Sequence, residues 1–104
     1  MGLVALCPVT AISIGAIRKE IHPDGTAVAL FNVDGRIYAT SDVCTHGAAS
    51  LSEDGALDGN IVECGWHFGS FNVATGEPHA SPCTVPLKTY AVQVIDDVVT
   101  VEYP

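Results

Sequence analysis

A chain of 104 residues with twelve acids against four bases, a net charge of −8 with neutral histidines, has room for one domain around a modest core. That acidity excludes a nucleic-acid binder. No run approaches the ~18 consecutive apolar residues of a membrane span.

The pattern along the chain is that of strands. The apolar start, Met1-Gly-Leu-Val-Ala-Leu-Cys-Pro, has no basic region before it, and Pro8 stops it, so it reads as a first strand over 3–6 and not as a signal peptide. A cytoplasmic location is expected on that basis. Residues 16–21 give a second strand, imperfect because Lys19 shares a face with Ile17 and Ile21. Pro23-Asp24-Gly25 is a turn. Residues 27–33 form a mostly apolar run, as in a strand covered on both faces, and Asp34-Gly35 gives a two-residue hairpin into a partner strand over 36–40. Tyr38 is expected to pack in or beside the core.

From Asp42 the texture changes. Residues 42–85 are rich in Gly, Ser, Thr and Pro, with strand-like pieces at 61–63 and 71–73 and turn signals at Glu53-Asp54-Gly55 and Asp58-Gly59-Asn60. Such a segment builds little core of its own, and a bound metal group supplies the missing cross-links. Regular alternation resumes at Lys88. Tyr90, Val92 and Val94 share one face, Asp96-Asp97 turns the chain, and Val99, Val101 and Tyr103 return as a terminal hairpin. No stretch has sustained helical periodicity. The fold class expected is all-β: one domain over 1–104, a small antiparallel sandwich or barrel-like scaffold with a loop-rich metal-binding subdomain inserted over about 42–85.

Within that insert stand two cysteine–histidine pairs, Cys44-Thr45-His46 and Cys64-Gly65-Trp66-His67. Thiolates and imidazoles both bind borderline-soft metals. A zinc finger usually keeps its cysteines in one pair and its histidines in the other, with wider histidine spacing. Mixed pairs instead suit two sulfide-bridged irons, with both thiolates on one iron and both imidazoles on the other. A zinc-stabilised binding module remains the alternative at this point. His22 and His79 have no ligand-type neighbour at chelating spacing and are expected at the surface. Cys7 and Cys83 are expected as small packing residues, and nothing supports a bridge between them.

The motif resembles that of the Rieske [2Fe–2S] family, C-x-H followed by C-x-x-H. The likeness extends to Cys-Thr-His-Gly at 44–47, Cys-Gly-Trp-His-Phe-Gly at 64–69, Thr75-Gly76 and the Pro82 segment. It is closest to the small ferredoxins of bacterial aromatic-ring-hydroxylating dioxygenase systems. The resemblance implies one Rieske [2Fe–2S] cluster held by Cys44, His46, Cys64 and His67, with Gly47, Trp66, Phe68, Gly69, Phe71 and Pro82 around it. It implies one-electron transfer and not catalysis, with His46 and His67 as the electron exit. Electrons would pass from an NAD(P)H-dependent flavoprotein reductase to a terminal Rieske oxygenase, and the carrier would be a monomer in solution. The small subunit of a larger reductase, such as assimilatory nitrite reductase, is the second reading.

Two further expectations concern electrostatics. With two neutral imidazoles the oxidised core is neutral and the reduced core singly negative, so an electron is accepted more readily than by a four-thiolate cluster. High-potential members of the family carry two extra cysteines, where this chain has Ala49 and Trp66, and hydroxyl donors where it has Gly69 and Phe71. A potential in the bottom third of the family's span of roughly −150 to +300 mV follows. All four bases lie outside residues 37–87, while Asp42, Glu53, Asp54, Asp58, Glu63 and Glu77 lie inside. The metal-bearing half is therefore expected to dock on basic partner surfaces, with Glu53, Asp54 and Glu63 beside His46 and His67.

Overall fold

In the computed structural model the described residues are 2–45, 49–65, 69–81 and 83–103. They form three antiparallel sheets and almost no helix, so the all-β expectation holds.

The first sheet joins the chain ends. β1 (Gly2–Pro8) pairs with β11 (Val98–Tyr103), and β11 with β10 (Val92–Ile95). Strand β1 runs on through Pro8, which lies at the sheet edge where its missing N–H costs nothing, and a short 3-10 turn, Val9–Ala11, follows. The terminal hairpin turns at Asp96 and Asp97, both with positive φ (51° and 64°). That is the geometry a two-residue hairpin requires, and Asp tolerates it better than most residues.

The second sheet has the order β2 (Ile17–Ile21), β3 (Ala27–Val33), β4 (Arg36–Ser41), β9 (Thr89–Tyr90). Strand β3 is its central feature. Alternate side chains of a strand point to opposite faces, and here both faces are covered. Val28 and Leu30 enter a core with Cys7, Ile37, Tyr90, Val99 and Val101. Ala29 and Phe31 enter a second core with Cys44, Cys64, Phe71 and Cys83. One continuous apolar run thus forms the wall between the scaffold core and the core around the cysteines. Tyr38 packs, half-buried, against the second core.

The third sheet lies inside the insert: β5 (Ala56–Asp58), β6 (Ile61–Glu63), β7 (Ser70–Asn72) and β8 (Pro78–Ala80), in that order. It is more regular than the sequence suggests. β5 is a three-residue strand between two turn signals, and β8 carries a proline that only an edge strand accepts.

Two other expectations need correction. The turn expected at Glu53-Asp54-Gly55 is the end of a one-turn helix, α1 (Leu51–Asp54), capped by Ser50, whose Oγ accepts from the Glu53 N–H at 3.2 Å. The strand expected from Lys88 is two strands. β9 pairs with β4 in the second sheet, β10 with β11 in the first, and Ala91 carries the chain across. Val94 consequently faces solvent at 48% exposure and does not share a buried face with Tyr90. Among the described residues no helix is long and apolar enough to cross a membrane.

Candidate metal centre

Two loops of the same construction present Cys44 and Cys64. The Cys44 N–H donates to the Ala49 carbonyl at 2.9 Å, and the Cys64 N–H donates to the Gly69 carbonyl at 2.7 Å, five residues on in both cases. Each loop is closed at its base by a strand-like pairing, Val43 with Ser50 in the first and β6 with β7 in the second. Each cysteine thus opens a loop whose ends are fixed by backbone hydrogen bonds.

The loops are braced against each other. A Cβ on Gly65 would lie 1.9 Å from the Asp54 carbonyl oxygen, so only glycine lets the second loop lie on the end of α1. Gly55 is similarly tight, a Cβ there meeting the Leu51 carbonyl oxygen at 2.5 Å. A third segment closes over them. Gly76 has φ of +78°, a Cβ there would meet the Leu87 carbonyl oxygen at 2.3 Å, and the Leu87 N–H donates to the Gly76 carbonyl. Thr45 Oγ1 donates to the Val85 carbonyl at 2.6 Å, tying this segment to the first loop.

Asp42 anchors the first loop from beneath. Its carboxylate accepts from Ser50 Oγ at 2.6 Å and from the Ser52 N–H at 2.8 Å, its carbonyl accepts from the Leu51 N–H, and its N–H donates to the Ala27 carbonyl on β3. A carboxylate 2% exposed is tolerable because these donors replace water and Lys19 Nζ lies 3.9 Å away.

These constraints bring Cys44, Cys64 and Cys83 into one buried core with Leu51, Val62 and Phe71. Burial first, then the neighbouring Cys44 and Cys64, push the Cys83 pKa up to about 11. All four cysteines are buried thiols. Cys7 lies in the other core, across β3 from Cys83, so the packing reading of both residues holds and no bridge joins them. Burial, reinforced by Glu20, raises the Cys7 pKa as well.

Among the described residues no group of three or more His, Cys, Asp or Glu side chains is placed to hold a metal ion. The described part of the site is therefore two thiols from twin loops in an apolar surrounding. His46, Gly47, Trp66, His67, Phe68 and Pro82 lie outside the described residues. Of the other expected neighbours, Phe71 is fully buried beside the cysteines, and Gly69 closes the second loop through its carbonyl. His79 is exposed, as expected. His22 is not: its side chain is 11% exposed, with Nδ1 2.9 Å from Asp24 Oδ1.

The acidic residues separate into two kinds. Asp54, Asp58, Glu63 and Glu77 are exposed, whereas Asp42 is internal. Glu53, 65% exposed, is ion-paired with Lys19. The insert lacks bases in sequence but not in space, because β2 contributes one. A cleft of about 690 Å³ lies elsewhere, lined by Arg36, Tyr38, Val73, Tyr90 and Val92 among others, with no cysteine in it.

Two buried thiols at the heads of matched loops, on a three-sheet antiparallel scaffold, fit the thiolate side of a small metal-cluster protein. The chain belongs to the Rieske [2Fe-2S] domain family, which matches residues 2–91. Its cofactor is accordingly a Rieske-type [2Fe–2S] cluster, which sets aside the zinc alternative, and it is an electron carrier and not an enzyme. The chain is 49% identical, over 88% of its length and 78% of the relative's, to the ferredoxin component of the p-cumate 2,3-dioxygenase system of Pseudomonas putida. Its fold is similar to that of the Sphingomonas yanoikuyae B1 ferredoxin, at 41% identity and TM-score 0.94, covering 99% of this chain and 100% of that one. It is also similar to a chain in the complex of reduced oxygenase and oxidised ferredoxin of carbazole 1,9a-dioxygenase, at 44% identity and TM-score 0.89, covering 95% and 91%.

Proposed function

We propose that Cys44 and Cys64 bind one iron of the cluster, His46 and His67 the other, and that the protein carries single electrons from an NAD(P)H-dependent flavoprotein reductase to a terminal aromatic-ring-hydroxylating oxygenase. The observation that carries the ligand assignment is the shared construction of the two cysteine loops, which deliver their thiols to one buried core. The partner assignment draws on relatives named as ferredoxin components of dioxygenase systems and on a structural neighbour from an oxygenase–ferredoxin complex.

The cluster supplies one-electron chemistry when bound. This chain's own residues do the rest. Asp42, Gly65 and Gly76 fix the loops, and Leu51, Val62 and Phe71 keep water from the thiolates. Asp54 and Glu63 present negative charge beside the loop that carries Cys64. The whole chain acts as one domain, with residues 42–85 as the cluster-binding part. Four thiols and no disulfide suit a reducing compartment, and a cytoplasmic monomer is the form proposed.

Iron and sulfide analysis of single Ala substitutions tests the ligands. Loss of the visible chromophore is expected for Cys44, His46, Cys64 and His67 and for neither His22 nor His79. Mixing the reduced protein with an oxidised terminal oxygenase in a stopped-flow spectrometer tests the role. Re-oxidation of the carrier with matching reduction of the oxygenase is expected, and no transfer at any concentration contradicts it.

A further inference from the structure

An open strand edge is a template for pairing with another chain, and proteins guard such edges with charge, proline, bulges or shortness. Among the described strands β1 has Pro8 and a bulge between Ala5 and Cys7, and β2 has Arg18, Lys19 and Glu20. β5 ends in Asp58, β8 begins with Pro78, and β9 is two residues long. The edge strand β10, Val-Gln-Val-Ile, has none of these guards, and its Val94 and Ile95 are exposed. The hairpin at Asp96-Asp97 fixes where its main chain points. Ile95 and Val98 flank a two-residue turn as a hydrogen-bonded pair, and the Glu102 N–H donates to the Ala91 carbonyl at 2.9 Å. Ala91, Gln93 and Ile95 therefore face β11, and Val92 and Val94 turn their N–H and C=O groups outward. Both line the cleft of about 690 Å³, with Arg36, Tyr38 and Tyr90. Its opposite wall is β4, whose ladder with β9 stops at Ala39.

We propose that this cleft takes an extended segment of a partner protein, which adds as a strand to the outer edge of β10 and sets a carboxylate against Arg36. Outward main-chain donors and acceptors beside apolar side chains match another main chain and not a compact ligand. Arg36 has Nη1 3.5 Å from the Tyr38 hydroxyl and, among the described residues, is in no ion pair. Asp34 lines the cleft too, at the hairpin tip, so the carboxylate belongs at the Arg36 end. Lys88, with Nζ 5.5 Å over the Tyr90 ring, adds positive charge where β10 begins, and Asp96 and Asp97 add negative charge where it ends. A second copy of this chain is the poorer occupant, because two chains of net charge −8 repel each other. β4 runs from Arg36 at the cleft to Ser41 below the Cys44 loop, about 17 Å at the usual rise of a strand. A partner held at β10 thus leaves the cysteine loops free.

The probe is a short acetylated and amidated peptide of alternating Val and Thr that ends in Glu, titrated into the holoprotein with amide exchange followed by NMR. Exchange at the Val92 and Val94 N–H groups is expected to slow about tenfold or more, while Gln93 and Ile95, already bonded to β11, stay as they were. The same peptide N-methylated at every amide forms no ladder and is expected to bind about tenfold more weakly or not at all. Val94→Pro removes an outward N–H that the fold does not use, and should match that loss with iron content unchanged. Arg36→Gln should abolish the preference for Glu over Gln at the peptide's end. Should Val94→Pro fail to fold, the N-methylated peptide decides. No binding at millimolar peptide overturns the proposal, and so does equal binding of the N-methylated form. A dimer in sedimentation equilibrium that Val94→Pro abolishes would overturn it as well, by placing a second copy on the edge.

Discussion

Gly65 lies so close to Asp54 that a Cβ would stand 1.9 Å from its carbonyl oxygen. The loop that carries Cys64 is therefore seated on the helix end that follows the loop carrying Cys44, and neither loop is placed without the other. Gly65→Ala must push the two apart. The expected cost is at or above the top of the ~1–3 kcal/mol of an overpacked core. Because the clash is with backbone, loss of iron should accompany the fall in Tm, while the distant sheet of β1, β10 and β11 keeps its amide-exchange protection. Wild-type iron content in Gly65→Ala would contradict the seating.

Asp42 is a second point of dependence. Replacing it by Ala removes two hydrogen bonds to a buried carboxylate and a negative charge 3.9 Å from Lys19 Nζ. A loss of roughly 3 kcal/mol is expected from denaturant unfolding. Asn keeps one acceptor, so Asp42→Asn should recover about half of it. Equal losses for Ala and Asn would show that the carboxylate charge, and not the Ser52 N–H, holds the loop.

Docking is expected to follow charge in space and not in sequence. With Glu53 ion-paired with Lys19, charge reversal at Asp54 or Glu63 should slow transfer to a basic partner more than reversal at Glu53, and Glu102 should matter least. Lys19→Ala leaves Glu53 without that partner and should speed association at low salt. Rates should fall as salt rises. Stopped-flow rates at two ionic strengths check all of these, and a salt-independent rate contradicts the docking surface.

Phe71 is fully buried beside the cysteines. Phe71→Tyr places a hydroxyl where a sulfur acceptor is the available partner, and the potential should rise, by up to about 59 mV for a tenfold shift of the one-electron equilibrium. An unchanged potential with full iron would mean that the hydroxyl points elsewhere.

Much of this was readable from residues alone, for reasons that differ by element. The importance of the Cys44 and Cys64 loops was legible because each cysteine stands in a cysteine–histidine pair at short local spacing. Strand β3 was legible because coverage on both faces leaves a mostly apolar run, Ala27 to Val33, with Asn32 its one polar residue. The helix α1 carried its signal, Ser50 three residues before Glu53, but one turn has no periodicity to support it. The break at Ala91 was invisible, since alternation continues through residues that change sheets. Lys19 with Glu53 is an ion pair between residues far apart in the chain, and Cys83 shares a core with Cys44; no local pattern encodes either.

The central claim is that this chain accepts one electron on a histidine-ligated cluster. Coulometric reduction of the purified protein at pH 7, followed by its visible absorption, tests it most directly. One electron per chain, two irons and two sulfides, and a midpoint in the lowest third of the range of roughly −150 to +300 mV are expected. A midpoint well above ~0 mV, or a colourless protein that takes up no electron, would contradict it.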